Sequence, residues 1–137
     1  MFGQVHEYST VIKERNLDSF GHVNNAQYMA LFEEARWEMV TERGYGLEDV
    51  LKGKISTVVL EATLRFKREL KNREKIKIVT QVDTIESKLV RLNQKILKES
   101  GEISCEGWFV LGCFDLLSRK LIKPTSEWLG AISGSRE

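Results

Sequence analysis

Proline occurs once in the 137 residues, and cysteine and histidine twice each. So few Cys and His argue against a dedicated zinc site, which usually takes three or four such ligands. Cys105 and Cys113 lie in a stretch that reads as one strand. At roughly 3.3 Å per residue their Cα atoms stand about 26 Å apart, too far for a mutual disulfide. Free thiols suit a reducing cytoplasm, the expected location. Net charge is nearly absent too. The 21 Lys and Arg against 20 Asp and Glu leave +1, which argues against a protein built mainly to hold nucleic acid or an anionic membrane. The longest apolar run, Trp108 to Phe114, is too short to cross a bilayer, so no membrane insertion is expected. The opening Met-Phe-Gly-Gln-Val-His has no basic segment followed by an apolar one, so no secretory signal is read there.

What is present is ordinary globular composition, 42% hydrophobic and 30% charged. Such a length buries roughly two-thirds of its unfolded surface without a covalent staple. No repeat, linker or low-complexity tract divides it, so residues 1–137 are expected to form a single domain.

The pattern predicts a strand over Gln4 to Glu14, a loop from Arg15 to Val23, and then the clearest helix in the chain. Asn24 is a suitable N-cap, and Gln27 three residues later completes a capping-box pattern. Tyr28, Leu31, Phe32, Ala35 and Met39 recur at helical spacing, widened by Met29 and Val40, and Gly44 supplies the stop. The helix is expected to be substantially buried. Gly46 to Lys52 is compatible with a short second helix. The period then changes. Strands are predicted over Ile55–Lys67, Ile76–Ile85, Leu89–Lys98 and Ile103–Leu116, with Lys120–Lys123 extending the sheet and Thr125–Leu129 a terminal helical turn. Short connections imply antiparallel neighbours. One greasy helix needs a sheet to cover it, so the expected class is α+β, a curved antiparallel sheet of five to six strands wrapped around a long helix.

The chemistry concentrates in Leu17-Asp18-Ser19-Phe20-Gly21-His22-Val23-Asn24-Asn25, which runs straight into the helix. A carboxylate, a glycine, a histidine and two amides meet a helix N-terminus, whose free N–H groups carry the positive end of the macrodipole. Such a place can hold developing negative charge. A carboxylate beside it provides what thioester hydrolysis needs without a Ser–His pair.

The sequence Asp-x-x-Gly-His-Val-Asn-Asn-x-x-Tyr, followed by Phe-Glu-Glu-Ala-Arg-Trp, resembles the hotdog-fold acyl-CoA thioesterases. This is the group named for 4-hydroxybenzoyl-CoA thioesterase, and the likeness is to its bacterial long-chain acyl-CoA branch. The contiguous match runs from Leu17 to Trp37. The resemblance implies a hotdog fold and hydrolysis of a fatty or aromatic acyl-CoA to free acid and CoA. It also implies no metal or organic cofactor, and a homodimer or homotetramer with substrate at the subunit interface. It places the essential carboxylate on Asp18, acting either as nucleophile or as general base. The backbone N–H of Asn25 or its neighbour polarises the thioester carbonyl. His22 joins this catalytic group, chiefly by shaping the loop. Gly21, Val23, Asn24, Tyr28 and Glu33 are expected to position substrate. Arg65, Lys67 and Arg68 are expected to take the phosphates of CoA; the run from Lys67 to Lys75 carries five positive and two negative charges. Glu69 and Arg73-Glu74 depart from the family's usual proline and Gly-Asp.

Each of these residues also has a plainer reading. Asp18 can cap its loop, Asn24 and Asn25 can simply cap the helix, Tyr28 can be core, and Glu33 can neutralise Arg36 at i,i+3. The basic run can be a solvated hairpin tip. Trp108, Phe109 and Phe114 read as sheet packing. Two rival activities remain in view. A hotdog hydratase usually has four residues between its Asp and His, and here three separate Asp18 from His22. A non-catalytic acyl-thioester or acyl-carrier binding module predicts retention without turnover. A nucleic-acid partner has neither motif nor charge behind it.

Overall fold

The computed structural model describes residues 3–134. Its elements run β1 (His6–Val11), a 3₁₀ turn (Glu14–Asn16), α1 (Asn25–Glu42), α2 (Leu47–Gly53), β2 (Ile55–Phe66), β3 (Lys75–Glu86), β4 (Leu89–Lys98), β5 (Ile103–Asp115), β6 (Lys120–Ile122) and α3 (Ser126–Ser133). The strands form one sheet in the order β1-β3-β4-β5-β2, and β6 pairs with β5 off that path. All pairings are antiparallel. This is the α+β hotdog arrangement, with six strands and one long helix.

Alternation decides which face of the sheet meets α1. In β3 and β4, Ile76, Ile78, Thr80 and Val82 and Val90, Leu92, Gln94 and Ile96 are buried. Their neighbours in sequence point the other way, because successive strand side chains alternate. Tyr28, Leu31, Phe32, Ala35 and Met39 of α1 join them in one core. Phe32 meets Phe109 of β5 edge to face, with ring centroids 5.6 Å apart. Burying a side chain such as Phe32 contributes about 1.5–3 kcal/mol. Extra residues break the ladder register at Leu60 in β2, Asp83 in β3 and Ser104 in β5. Such bulges bend the strands that carry them.

Several expectations need correction. The first strand ends at Val11, not Glu14, because the Ile12 N–H bonds Glu74 O and the chain then enters the 3₁₀ turn. The Asn24 cap forms, its Oδ1 accepting the Ala26 N–H at 2.9 Å. The Gln27 side chain does not close a capping box; its Oε1 accepts instead from Asn16 Nδ2 at 3.1 Å. The terminal turn is a longer helix than expected, running to Ser133. Thr125 caps it, and Trp128, Ala131 and Ile132 fill the core. Nor is α1 covered over most of its circumference, since Met29, Glu33 and Trp37 are exposed. The uncovered side of α1 faces β2. Pairing opposite inward-facing Cys113, Leu111, Phe109 and Cys105 puts Thr57, Val59, Ala62 and Phe66 on the inner side of β2. Those four remain exposed.

Candidate active site

The site is made by a small hairpin docking on a turn. Leu17 and Val23 pair as a bridge, the Asp18 N–H bonds His22 O at 2.9 Å, and the Gly21 N–H bonds Asp18 O at 3.1 Å. Gly21 closes this tip with φ at +82°, and a Cβ there would meet open space, so glycine is required for its backbone alone. The hairpin is tied to the turn between β2 and β3. The Val23 N–H bonds Leu70 O at 3.1 Å, and His22 bridges Lys71. Leu70 is fully buried beneath them. The turn is held in its own place by the bulge in β5, where Ser104 O accepts the N–H groups of both Lys67 and Arg68.

The sequence Asn24-Asn25 then starts α1 at this junction. The Ala26 N–H goes to the Asn24 side chain, and the Gln27 N–H bonds Asn24 O. The Asn25 N–H finds no acceptor among the described residues. It is the amide left for an outside oxygen at the positive end of the helix. In front of it lies a cleft of about 320 Å³ lined by Val23, Asn25, Tyr28 and Phe66 and by the turn residues Lys67, Arg68 and Glu69. Tyr28 and Phe66 meet edge to face with centroids 5.2 Å apart, giving the cleft an apolar wall. Burial pushes the Tyr28 phenol above its ordinary pKa, with the Ser104 hydroxyl opposing it.

The structure thus gathers Asp18, Gly21, His22, Val23, Asn24, Asn25, Tyr28, Lys67 and Arg68 at one end of α1. Asp18 is half-buried on the same hairpin as Val23, and one carboxylate oxygen accepts the Phe20 N–H at 2.9 Å. It stands outside the lining of the cleft. His22 Nε2 lies 3.3 Å from Glu69 Oε2. In the sequence Glu69 stands only as a departure from the family's pattern; in the structure it lines the cleft. Arg68 pairs with Glu102 and Lys67 with Glu106, at 3.1 and 3.2 Å.

Two residues fall elsewhere. Arg65 projects from the opposite face of β2 to Phe66, its guanidinium 5.5 Å from the Trp108 ring, and takes no part in the cleft. Glu33 does not turn into the core or form an ion pair with Arg36. It is exposed two turns up the helix, beside a second cavity. Both cysteines are free and buried in β5. Burial pushes the Cys105 thiol up to about 12, which removes it as a nucleophile near neutral pH. Among the described residues no group of His, Cys, Asp and Glu could hold a metal ion, and no helix is long and apolar enough to cross a membrane.

Chemically, a free helix-terminal amide over an apolar cleft can hold a carbonyl oxygen, and the basic turn at its mouth can meet an anion. Known proteins resemble this chain in sequence or fold. The long-chain acyl-CoA thioesterase FadM of Escherichia coli strain K12 is 29% identical over 121 residues, covering 86% of this chain and 91% of FadM. Among solved structures, protein SAV2348 of Staphylococcus aureus, in complex with CoA, superposes with a TM-score of 0.87 at 15% identity, covering 98% of this chain and 85% of that one. The DHNA-CoA thioesterase of the same organism gives 0.83 at 22% identity, covering 95% of this chain and 89% of its own. A family model matches residues 13–132, and the chain belongs to the family that it describes, the Thioesterase-like superfamily.

Proposed function

We propose that this protein is an acyl-CoA thioesterase that hydrolyses a fatty or aromatic acyl-CoA to free acid and CoA. The observation that carries the reading is the free Asn25 N–H at the start of α1, opening on an apolar cleft beside the hairpin that bears Asp18. The names of the relatives FadM and the acyl-CoA thioester hydrolase YbgC support it.

On this reading the Asn25 amide donates to the thioester oxygen and stabilises the negative charge that develops there. Asp18 then has two possible roles. As nucleophile its carboxylate attacks the carbonyl carbon, the C–S bond breaks, CoA leaves as thiolate and takes a proton, and water hydrolyses the resulting anhydride. As general base it takes a proton from water, which attacks directly, and that proton passes to the departing sulfur. Trapping a labelled acyl-enzyme, or finding solvent ¹⁸O in Asp18 after a single turnover, separates the two. His22, held against Glu69, keeps the hairpin in shape. Lys67 and Arg68 would exchange their carboxylate partners for the phosphates of CoA. CoA is part of the substrate, and the reaction calls for no metal or further cofactor.

The reading includes a second copy of the chain. β2 is an edge strand of 12 residues with Val59, Leu60 and Phe66 exposed, and a bare apolar edge of that length is a template for pairing. A copy set along β2 would roof the cleft and exclude water from it. The protein is expected to work in the cytoplasm, where its free thiols persist. The test is release of free thiol from a panel of acyl-CoAs. Turnover of at least one supports the reading, and retention of every one without turnover would leave a binding module.

A further inference from the structure

The exposed side of α1 carries a second cavity that the mechanism above does not use. It measures about 100 Å³ and lies where Glu33, Arg36 and Trp37 of α1 face Tyr45 and the Thr57 and Val59 positions of β2. For scale, an apolar cavity of roughly 150 Å³ holds a benzene ring. Its unusual feature is Arg36. Arg36 is half-buried, its guanidinium 4.6 Å from the centroid of the Phe109 ring. Its Nη1 donates to Gln94 Oε1 at 2.9 Å. Gln94 is itself fully buried and held by Phe32 O and Thr80 Oγ1. Arg36 is therefore fixed in place. A guanidinium has five N–H donors, and no other acceptor for them is found among the described residues. Among the described residues no carboxylate lies within ion-pairing distance, Glu33 included. Burial depresses its pKa, with the Glu33 charge opposing, and its unpartnered nitrogens are not sealed among the described residues, so an outside oxygen can reach them.

The cavity and the cleft share one seam. β2 runs back along α1, so its Phe66 end meets the cleft at the start of α1 and its Thr57 end meets this cavity. Arg36 stands eleven residues after Asn25, about 16 Å along the helix axis. An extended carbon chain advances roughly 1.3 Å per carbon, given C–C bonds of about 1.5 Å. An acyl group of about a dozen carbons, held by its carbonyl at Asn25 and laid along the seam, ends beside Arg36.

We propose that the Arg36 cavity is a subsite for the distal end of an acyl chain, and that its free N–H groups select a chain bearing a neutral oxygen there, a hydroxyl or a ketone. This inference rests on the acyl-CoA reading and adds a substrate class to it. The neutral oxygen follows from the lining. Arg36 offers donors with no acceptor, while the Glu33 carboxylate on the same wall repels a terminal carboxylate.

The test pairs 2-oxoalkyl thioethers of CoA, which keep a carbonyl for Asn25 but have no thioester bond to hydrolyse, with chains of ten to sixteen carbons, each with its ω-hydroxy counterpart. Their affinities are measured by calorimetry on the full chain. At the length that reaches Arg36, the hydroxylated member is expected to bind about tenfold tighter, the worth of a hydrogen bond to a charged donor. In Arg36→Met the ratio is expected to fall to about one. Circular dichroism checks folding. If Arg36→Met does not fold, Arg36→Lys keeps a cation beside Phe109 without the planar fork, and the ratio is expected to fall by about threefold. Equal affinities at every length in the wild type overturn the proposal, as would follow if a carboxylate of a second copy filled the cavity. So does a preference left undiminished by substitution of Arg36. Preference in binding without thiol release from the matching thioesters would sink the thioesterase reading and keep the subsite. Release from both chains with equal affinities would do the reverse.

Discussion

The two sides of α1 are built from one helix and behave oppositely. On one side Leu31, Phe32, Ala35 and Met39 disappear into the sheet between β3 and β5. On the other, Met29, Glu33 and Trp37 stand exposed opposite the inner face of β2, and two cavities open along the seam. On the packed side the buried Gln94 and Thr80 are satisfied, Gln94 Nε2 donating to Thr80 Oγ1 and Phe32 O and its Oε1 accepting from Arg36. The open side mixes aromatic, acidic and basic groups with unspent donors at both ends, Asn25 N–H and Arg36. A surface that serves only stability has no need of such donors. On the proposed reading, that difference separates the packed core from the site.

The sharpest break of that comparison is at Asp18. Asp18→Asn preserves the shape of the hairpin and is expected to lower kcat about a thousandfold, within the range for loss of a catalytic carboxylate, with the melting temperature unchanged. Normal turnover in that variant would remove Asp18 from the mechanism. Next come paired truncations on opposite sides of α1. Phe32→Ala is expected to cost about 3–5 kcal/mol in denaturant unfolding. Trp37→Ala is expected to cost under about 1 kcal/mol while raising KM for long acyl chains. Equal costs would mean that the two sides do not differ. A charge on the bare edge of β2 tests its cover. Leu60→Lys should shift the protein to monomer in sedimentation and lower activity about tenfold or more, and an unchanged mass with full activity would place the partner surface elsewhere. The smallest effect expected is at Glu74. Burial alone would raise its pKa, but Lys98, the Lys71 backbone and nearby charge outweigh it and hold the pKa below the ordinary value. The carboxylate therefore stabilises the fold above its unfolded pKa of about 4.3. That contribution is lost as pH falls through the lower folded value. Glu74→Gln should flatten this acid limb by under about 1 kcal/mol in urea titrations.

Much of this was legible in the chain. Alternation gave β3 and β4 nearly to the residue, and the Asn24 cap set the start of α1. The motif from Asp18 to Tyr28 pointed to the candidate site, and its residues are contiguous. What escaped depends on distant partners. Gln27 looks like a capping-box residue locally but is claimed by Asn16. The His22–Glu69 contact joins two turns 47 residues apart, and no local period reports it. Arg65 reads as one of a basic cluster with Lys67 and Arg68, yet it lies inside β2 with its guanidinium over the Trp108 ring, away from the cleft. A signal was available for the Arg36 network. Gln94 shares the inward parity of Leu92 and Ile96, and an amide at that position must find a buried partner. The length of α3 was also readable, from Trp128 and Ile132 at helical spacing after the Thr125 cap.

The most direct test of the account is a crystal structure with a keto analogue of an acyl-CoA, in which a methylene separates sulfur from the carbonyl. The account predicts the carbonyl oxygen about 2.9 Å from the Asn25 nitrogen, the Asp18 carboxylate facing the carbonyl carbon, and the acyl chain along the seam between α1 and β2. An analogue bound instead in the groove on the outer sheet face, beside Lys75 and Lys77, with Asp18 still turned to Phe20, would contradict it.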